Sequence, residues 1–384
     1  MTATPTAQPA VPPDGPAAWL ALTASERGAS HVAAKTANQD AIAVERAGPA
    51  GLVAAVADGH GHWRHPRSAR GSRLAVTVGC LAGRELADKL ARELPQGPPG
   101  AATTASQIAR LVREVAVPDI VRRWRDSVFA DVRADPFTGE EQGRRHRGDD
   151  PTIAYGSTLL LGVATSNWLI LAQIGDGDVV AVRADGSSVL PVPADPQLDG
   201  LVTTSLCGPD PGADFRIAVL DTARTPLLAV LLATDGYGNA QVADDWPGTF
   251  GKDLRPLVRA HEPGWLAGQL PGWAARCASS DGSADDTTIA LLIPPAGLAV
   301  GAAAQPGGAG RVPGADLGSA KTTAAVVVRA DTVPSAQVPA GQSPIEPVTV
   351  RRTVPMIPAE PGSVTAAHQE ERGPEAGKPE AGAR

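Results

Sequence analysis

Aromatic residues are scarce in this 384-residue chain, at 3%, and all seven Trp lie between residues 18 and 295. The two outer segments are therefore poor in core-forming side chains. Residues 1–17 are rich in Ala, Pro and Thr, and residues 296–384 in Pro, Ala, Gly, Val and Glu. Neither offers enough apolar surface to offset the entropy of ordering, so both are expected to be disordered. Cysteine is scarce too. Cys80, Cys207 and Cys277 are odd in number and scattered, with no Cys-x-x-Cys pair. That argues against a disulfide scaffold or a Cys-based zinc site, and suits a reducing compartment. The formal net charge is −7 with no long basic run, so nucleic acid is not an expected partner. The longest apolar runs, around Leu227–Ala233 and Ile289–Ile293, fall well short of the roughly 20 residues a bilayer span needs. No charged and then apolar leader opens the chain. The expectation is a cytoplasmic monomer that touches no membrane.

Between the outer segments, residues 18–295 have the length of one large domain. Ala41–Val44 and Leu52–Ala57 read as strands joined by a Gly-Pro turn. Ser68–Arg92 and Ala105–Phe129 carry apolar residues at helical spacing, with Pro118 expected to kink or divide the second. A loop is expected at 95–100 between them. Thr158–Thr165, Trp168–Ile174 and Val179–Arg183 read as a three-strand meander. Two further strands are expected at Asp214–Leu220 and Leu227–Ala233. Gly251–Ala260 and Gly264–Cys277 look helical, though interrupted by prolines, and Thr287–Ile293 is a last strand ended by Pro294-Pro295. The acid- and arginine-rich stretch 139–150 reads as a solvated loop. Helices do not alternate one-for-one with strands, so a doubly wound parallel sheet fits poorly. An α+β layered domain, antiparallel sheets covered by helix pairs, fits better. The strands are nearly continuously apolar, as expected when both faces of a sheet are covered.

Aspartate marks the ends of these strands. The segments are Asn38-Gln39-Asp40, Val56-Ala57-Asp58-Gly59-His60-Gly61, Gly175-Asp176-Gly177-Asp178, Ala233-Thr234-Asp235-Gly236 and Asp285-Asp286-Thr287-Thr288. One Asp-Gly after a strand is usually a turn. Several, far apart in sequence, can converge, and converging carboxylates repel unless a hard cation joins them. An EF-hand loop is excluded, because Asp178 is followed by Val-Val. Zinc at His60, His62 and His65 is disfavoured, since oxygen donors suit magnesium or manganese. A cysteine-based phosphatase needs Arg six residues after its Cys. Those positions are Leu86, Ala213 and Ser283.

With Lys35-Thr36-Ala37-Asn38-Gln39-Asp40 and Gly156-Ser157-Thr158, these segments resemble, in order and spacing, the metal-dependent protein phosphatases of type 2C. The resemblance covers about 22–293. It implies a four-layer α-β-β-α sandwich, two antiparallel sheets flanked by helix pairs. It also implies hydrolysis of phosphoserine or phosphothreonine in proteins by a water acidified between two Mg²⁺ or Mn²⁺ ions. Carried over by motif, Asp58 bridges both metals and the Gly59 carbonyl binds one. Asp235 and Asp285 complete the other shell. Asp40 sits in or beside it, and Asp176 matches an additional, weaker metal position. His60 matches the proposed general acid, and phosphoprotein substrates, with a cognate Ser/Thr kinase as a candidate partner, follow from the same resemblance.

Departures from the family pattern fall around these ligands. Lys35 stands where the family has a phosphate-gripping arginine, which keeps the charge and loses the bidentate fork. Gln39 replaces a common glutamate, Asp286 a common asparagine, and Gly177-Asp178 replaces Ser-Arg. The carboxylate ligands remain, so an active enzyme is expected. The competing expectation, motivated by Lys35 and Gln39, is a phosphoprotein-binding module without turnover.

Overall fold

The computed structural model describes residues 18–93, 101–198 and 203–302. The expected disordered segments 1–17 and, past residue 302, the tail lie outside the described residues, as does the whole of the expected 95–100 loop. Strands and helices follow in the order β1 (Leu20–Glu26), α1 (Ala29–Ala34), β2 (Ala41–Ala47), β3 (Gly51–Ala57), α2 (Ser68–Glu93), α3 (Ala101–Leu111), α4 (Val117–Ala134), α5 (Gly139–Gly143), β4 (Leu159–Ala164), β5 (Trp168–Ile174), β6 (Asp178–Arg183), β7 (Ser188–Val189), α6 (Pro211–Asp214), β8 (Arg216–Asp221), β9 (Leu227–Ala233), α7 (Asp235–Gly238), α8 (Trp246–Ala260), α9 (Pro263–Cys277), β10 (Thr287–Ile293) and α10 (Pro295–Ala302).

Two antiparallel five-stranded sheets result. One runs β1-β10-β9-β6-β7 and the other β2-β3-β4-β5-β8. The central strands β3, β4, β5, β9 and β10 are buried at every position, which is why they read as unbroken apolar runs. Three apolar layers hold the molecule together. Leu52, Ala54, Val56, Leu160, Leu169 and Leu171 meet Val230, Leu232 and Leu292 between the sheets. Outside the second sheet, Val53, Ala55 and Val163 pack with Leu86, Ile120 and Trp124 of the α2–α4 layer. Outside the first, Val180, Leu231 and Leu291 pack with Phe250, Leu254 and Leu270 of α8 and α9. The four-layer sandwich is therefore the observed architecture.

Several local expectations are corrected. The stretch 158–183 is not a meander. β5 pairs with β4, but β6 pairs with β9 in the other sheet, so the chain changes sheets across Gly175-Asp176-Gly177. The Ala105–Phe129 helix is two helices joined by a π-turn at Val112–Ala116. Pro118 has no N–H to give back to the preceding turn and lies in the first turn of α4, where none is needed. Pro263 and Pro295 likewise start helices, so the expected boundary at 295 falls at the first residue of α10. β1 and α1 went unread. The 139–150 stretch is tied down, with a capping box between Thr138 and Glu141. Its Glu141 meets the buried Arg67 at 2.7 Å.

Candidate metal centre

Strand register brings the aspartates to one edge. Ala41 pairs with Ala57, so Asp40 and Asp58, the next residues outward, come side by side at the end of the second sheet. In the first sheet Ala233 pairs with both Asp178 and Ile289, which puts Asp178, Thr234–Asp235 and the Asp285–Asp286 turn at a common end. The sheets stack with those ends together. Asp58 feels the charges of Asp40, Asp235, Asp285 and Asp176, and Asp235 those of Asp176, Asp285, Asp40 and Asp178.

Each carrier is locked by named bonds. The Asp58 N–H donates to Thr158 Oγ1 at 2.9 Å, and the Thr158 N–H donates to the Asp58 carbonyl at 2.9 Å. Thr234 Oγ1 accepts from the Thr288 N–H at 2.9 Å and donates to Asp40 Oδ2 at 2.8 Å. Gly236 is required by close approach, since a Cβ there would lie 2.1 Å from the Asp286 carbonyl oxygen. Asp286 itself accepts from the Gly28 and Gln39 N–H groups at 2.8 and 2.6 Å and pairs with His31 Nδ1 at 2.8 Å. It thereby pins both ends of the segment that carries α1, Lys35 and Asp40. Those bonds and His31 hold its carboxyl below the usual range against the opposing push of burial.

The electrostatics are lopsided. Burial, then the neighbouring carboxylates, pushes Asp58 well above the usual range and Asp235 to about 8. Burial first also raises Asp40 to about 7, Asp178 to about 7, and Asp176. The charges acting most strongly on Asp58 and Asp235 are other carboxylates, while Arg216 acts against burial at Asp176. Asp40 Oδ1 is buried without a hydrogen-bond partner. Oxygen donors crowded on one edge, one of them orphaned, fit a hard divalent cation. Among the described residues, no three His, Cys, Asp or Glu side chains stand as a ready-made metal-ligand group. Asp285 in particular is half exposed, at 52% of its side chain.

The remaining site residues divide. Gly59 is buried and bridges Ser157 across the strands. His60 lies on the flank, its Nε2 2.7 Å from Ser205 Oγ, its ring edge-on to His65 with centroids 5.1 Å apart. Burial first, then His65, lowers His60 to about 4, so its imidazole is neutral in the metal-free site. A Cβ on Gly156 would lie 2.6 Å from both rings, which is why that motif begins with glycine. Lys35 stands apart. It is exposed, in the left-handed region at φ 57, capping α1, and no contact joins it to the carboxylates. Sequence reasoning missed His31 and Ser205, which lie outside the strand-end segments, and gave Thr234 no role although it sits inside one.

The chain matches the protein phosphatase 2C family over residues 27–273, well over half its length, and belongs to that family. Among solved structures it is similar to PppA, described as a key regulatory component of T6SS in Pseudomonas aeruginosa, with 20% identity, a TM-score of 0.43, and 72% of this chain and 97% of that one covered. It is also similar to the serine/threonine phosphatase Stp1 of Staphylococcus aureus, with 15% identity, a TM-score of 0.44, and 71% and 94% covered. A third is the catalytic domain of the serine/threonine protein phosphatase PstP in complex with two manganese ions, with 18% identity, a TM-score of 0.39, and 72% and 97% covered. No curated protein matches. Among the described residues no helix is long and apolar enough to cross a membrane.

Proposed function

We propose that this chain hydrolyses phosphoserine and phosphothreonine in proteins, as a Mg²⁺- or Mn²⁺-dependent phosphatase with its catalytic domain in 18–295. The supporting observation is the crowding of Asp40, Asp58, Asp176, Asp235 and Asp285 on one edge, where the charges acting most strongly on Asp58 and Asp235 are other carboxylates and Arg216 acts on Asp176 at the margin. In this reading Asp58, the Gly59 carbonyl, Asp235 and Asp285 hold two cations, Asp40 supports the shell, and Asp176 serves a third, weaker one. The bound cations supply an acidified water and offset the charge that develops on the phosphoryl oxygens.

The chain's own residues do the rest. Thr158 and Thr234 fix the direction of Asp58 and Asp40 through the bonds above. Lys35, exposed on its left-handed cap, meets a phosphate as a mobile point charge rather than a fork. His60 is neutral in the ligand-free site, and in this reading the negative charge of an arriving phosphate would offset the burial and the cations that oppose its imidazolium. His60 then gives its proton to the departing serine or threonine oxygen, a poor leaving group without one. Phosphoproteins are the substrate class, and a cognate kinase and a cytoplasmic setting accompany that reading.

The test is turnover of a phosphoserine peptide during Mg²⁺ and Mn²⁺ titration, wild type beside Asp58→Ala. Turnover should require added cation, stop with EDTA, and vanish in the variant. Full turnover by Asp58→Ala, or turnover indifferent to EDTA, would sink the reading.

A further inference from the structure

The stretch Thr203–Cys207 belongs to none of the sequence motifs, yet it crosses behind two of them. Thr204 Oγ1 accepts from the Gly175 N–H at 3.0 Å and donates to Asp195 Oδ2 at 2.7 Å, which ties the stretch to the turn that carries Asp176. One residue on, the buried Ser205 Oγ stands 2.7 Å from His60 Nε2 and 3.1 Å from the Ser157 carbonyl oxygen. The Leu206 N–H donates to the same carbonyl at 2.9 Å. The Cys207 N–H and Sγ lie 3.4 and 3.3 Å from Ser205 Oγ.

Hydrogen counting favours one direction for these bonds. A hydroxyl has one hydrogen, and a carbonyl oxygen only accepts. Were the Ser205 hydrogen turned to His60, two lone pairs would face each other across the 3.1 Å gap to Ser157. With the hydrogen on Ser157, the hydroxyl accepts from His60, and both contacts are satisfied. His60 then carries its ring hydrogen on Nε2 and leaves Nδ1 bare.

We propose that Ser205 is a positioning residue for His60, holding the imidazole by an Nε2–H donated to its hydroxyl so that Nδ1 is the nitrogen that transfers the proton. This rests on the reading of His60 as general acid. In the imidazolium both nitrogens carry hydrogen. The Nδ1–H bond breaks as the O–H bond of the departing serine forms, and the positive charge leaves the ring with that proton. The Nε2–H bond to Ser205 is the same before and after, so no hydroxyl turns during the step. Gly156 makes the arrangement compact, because it lets the ring sit against its backbone, and the Gly156 carbonyl also accepts the His60 N–H at 3.1 Å.

The tautomer is read directly from long-range ¹H–¹⁵N correlation spectra of the full-length, metal-free protein, with His60 assigned by its loss in His60→Gln. Wild type should show Nε2 protonated and Nδ1 bare. The reverse pattern overturns the proposal, and the wild-type spectrum decides this even if a variant is unstable. Ser205→Ala should mix the tautomers, and Ser205→Thr should restore one; an alanine spectrum identical to wild type overturns the proposal. With Mg²⁺, Ser205→Ala should lose roughly 10-fold on a phosphoserine peptide and distinctly less on p-nitrophenyl phosphate, whose leaving group departs without a proton. Equal losses on both substrates overturn it. His60→Gln separates the layers: equal losses there remove the acid role itself, whereas a selective loss there beside equal losses in Ser205→Ala removes only the step assigned to Ser205.

Discussion

Two clusters of buried charge stand close in sequence and differ in one respect. Around Arg67 every charge is answered. Its guanidinium, 3% exposed, meets both Glu141 oxygens at 2.7 and 2.8 Å. It donates also to Tyr155 Oη and to the Asp135 and Pro136 carbonyls, and stacks 4.5 Å over Phe137. Around Asp58 the strongest-acting charges are carboxylates, and Asp40 Oδ1 has no partner. The first cluster holds two helical segments and a loop together. The second resists ionisation, and either proton uptake or an added cation relieves it. Compensated burial belongs to the scaffold, and uncompensated burial marks where chemistry is expected.

The comparison breaks hardest at Asp58. Asp58→Asn should lower phosphopeptide turnover by at least roughly 10³-fold, on the scale of losing a main electrostatic stabiliser. The same substitution should leave the metal-free protein as stable as wild type or more so, since a repelling charge is gone; a lower melting temperature in EDTA would count against that. Arg67→Ala should do the opposite. It strands Glu141, and denaturant unfolding should show a loss of about 3 kcal/mol. A smaller effect sharpens the contrast. Mg²⁺ at 100 times its Kd should raise wild-type stability by about 2.7 kcal/mol, and Asp58→Asn far less. Calorimetric scans with and without the ion check this.

The smallest effect is on the acid side of the Arg67 cluster. Burial pushes Glu141 upward, but Arg67 and the Thr138 N–H together hold it at about 2, below its ordinary 4.5. A group depressed in the folded state adds stability that is full above its unfolded pKa and fades as pH falls through its folded one. The contribution of Glu141 is thus complete above about 4.5 and lost towards about 2. Glu141→Gln should flatten the stability profile across that window and lower the plateau above it.

The strand-end aspartates were legible because β-strands announce themselves as apolar runs and Asp-Gly ends them. Sheet membership was not. Nothing local distinguishes the turn at Ser166-Asn167, which stays within one sheet, from Gly175-Asp176-Gly177, which leaves it. The choice is made by β9, some fifty residues later, whose backbone claims β6. His31 and Ser205 were illegible for the same reason. His31 meets Asp286 across 255 positions, and Ser205 meets His60 across 145. Asp286 reads in sequence as an asparagine gone missing. In the fold it is a carboxylate with a histidine to face and two backbone N–H groups to receive.

β1 lies against β10, from Leu20 opposite Ile293 to Glu26 opposite Thr287. Among the described residues, the first strand in chain order is therefore paired by the last. Until β10 emerges, β1 has no hydrogen-bonding neighbour, and Thr288 cannot brace Thr234 against Asp40. A nascent chain stalled before Thr287 holds most of its carboxylates but lacks the strand that brings the two sheets' ends into register. Such pairing between distant ends is slow to form. The geometry at this edge therefore depends on a pairing made across almost the full length of the described domain.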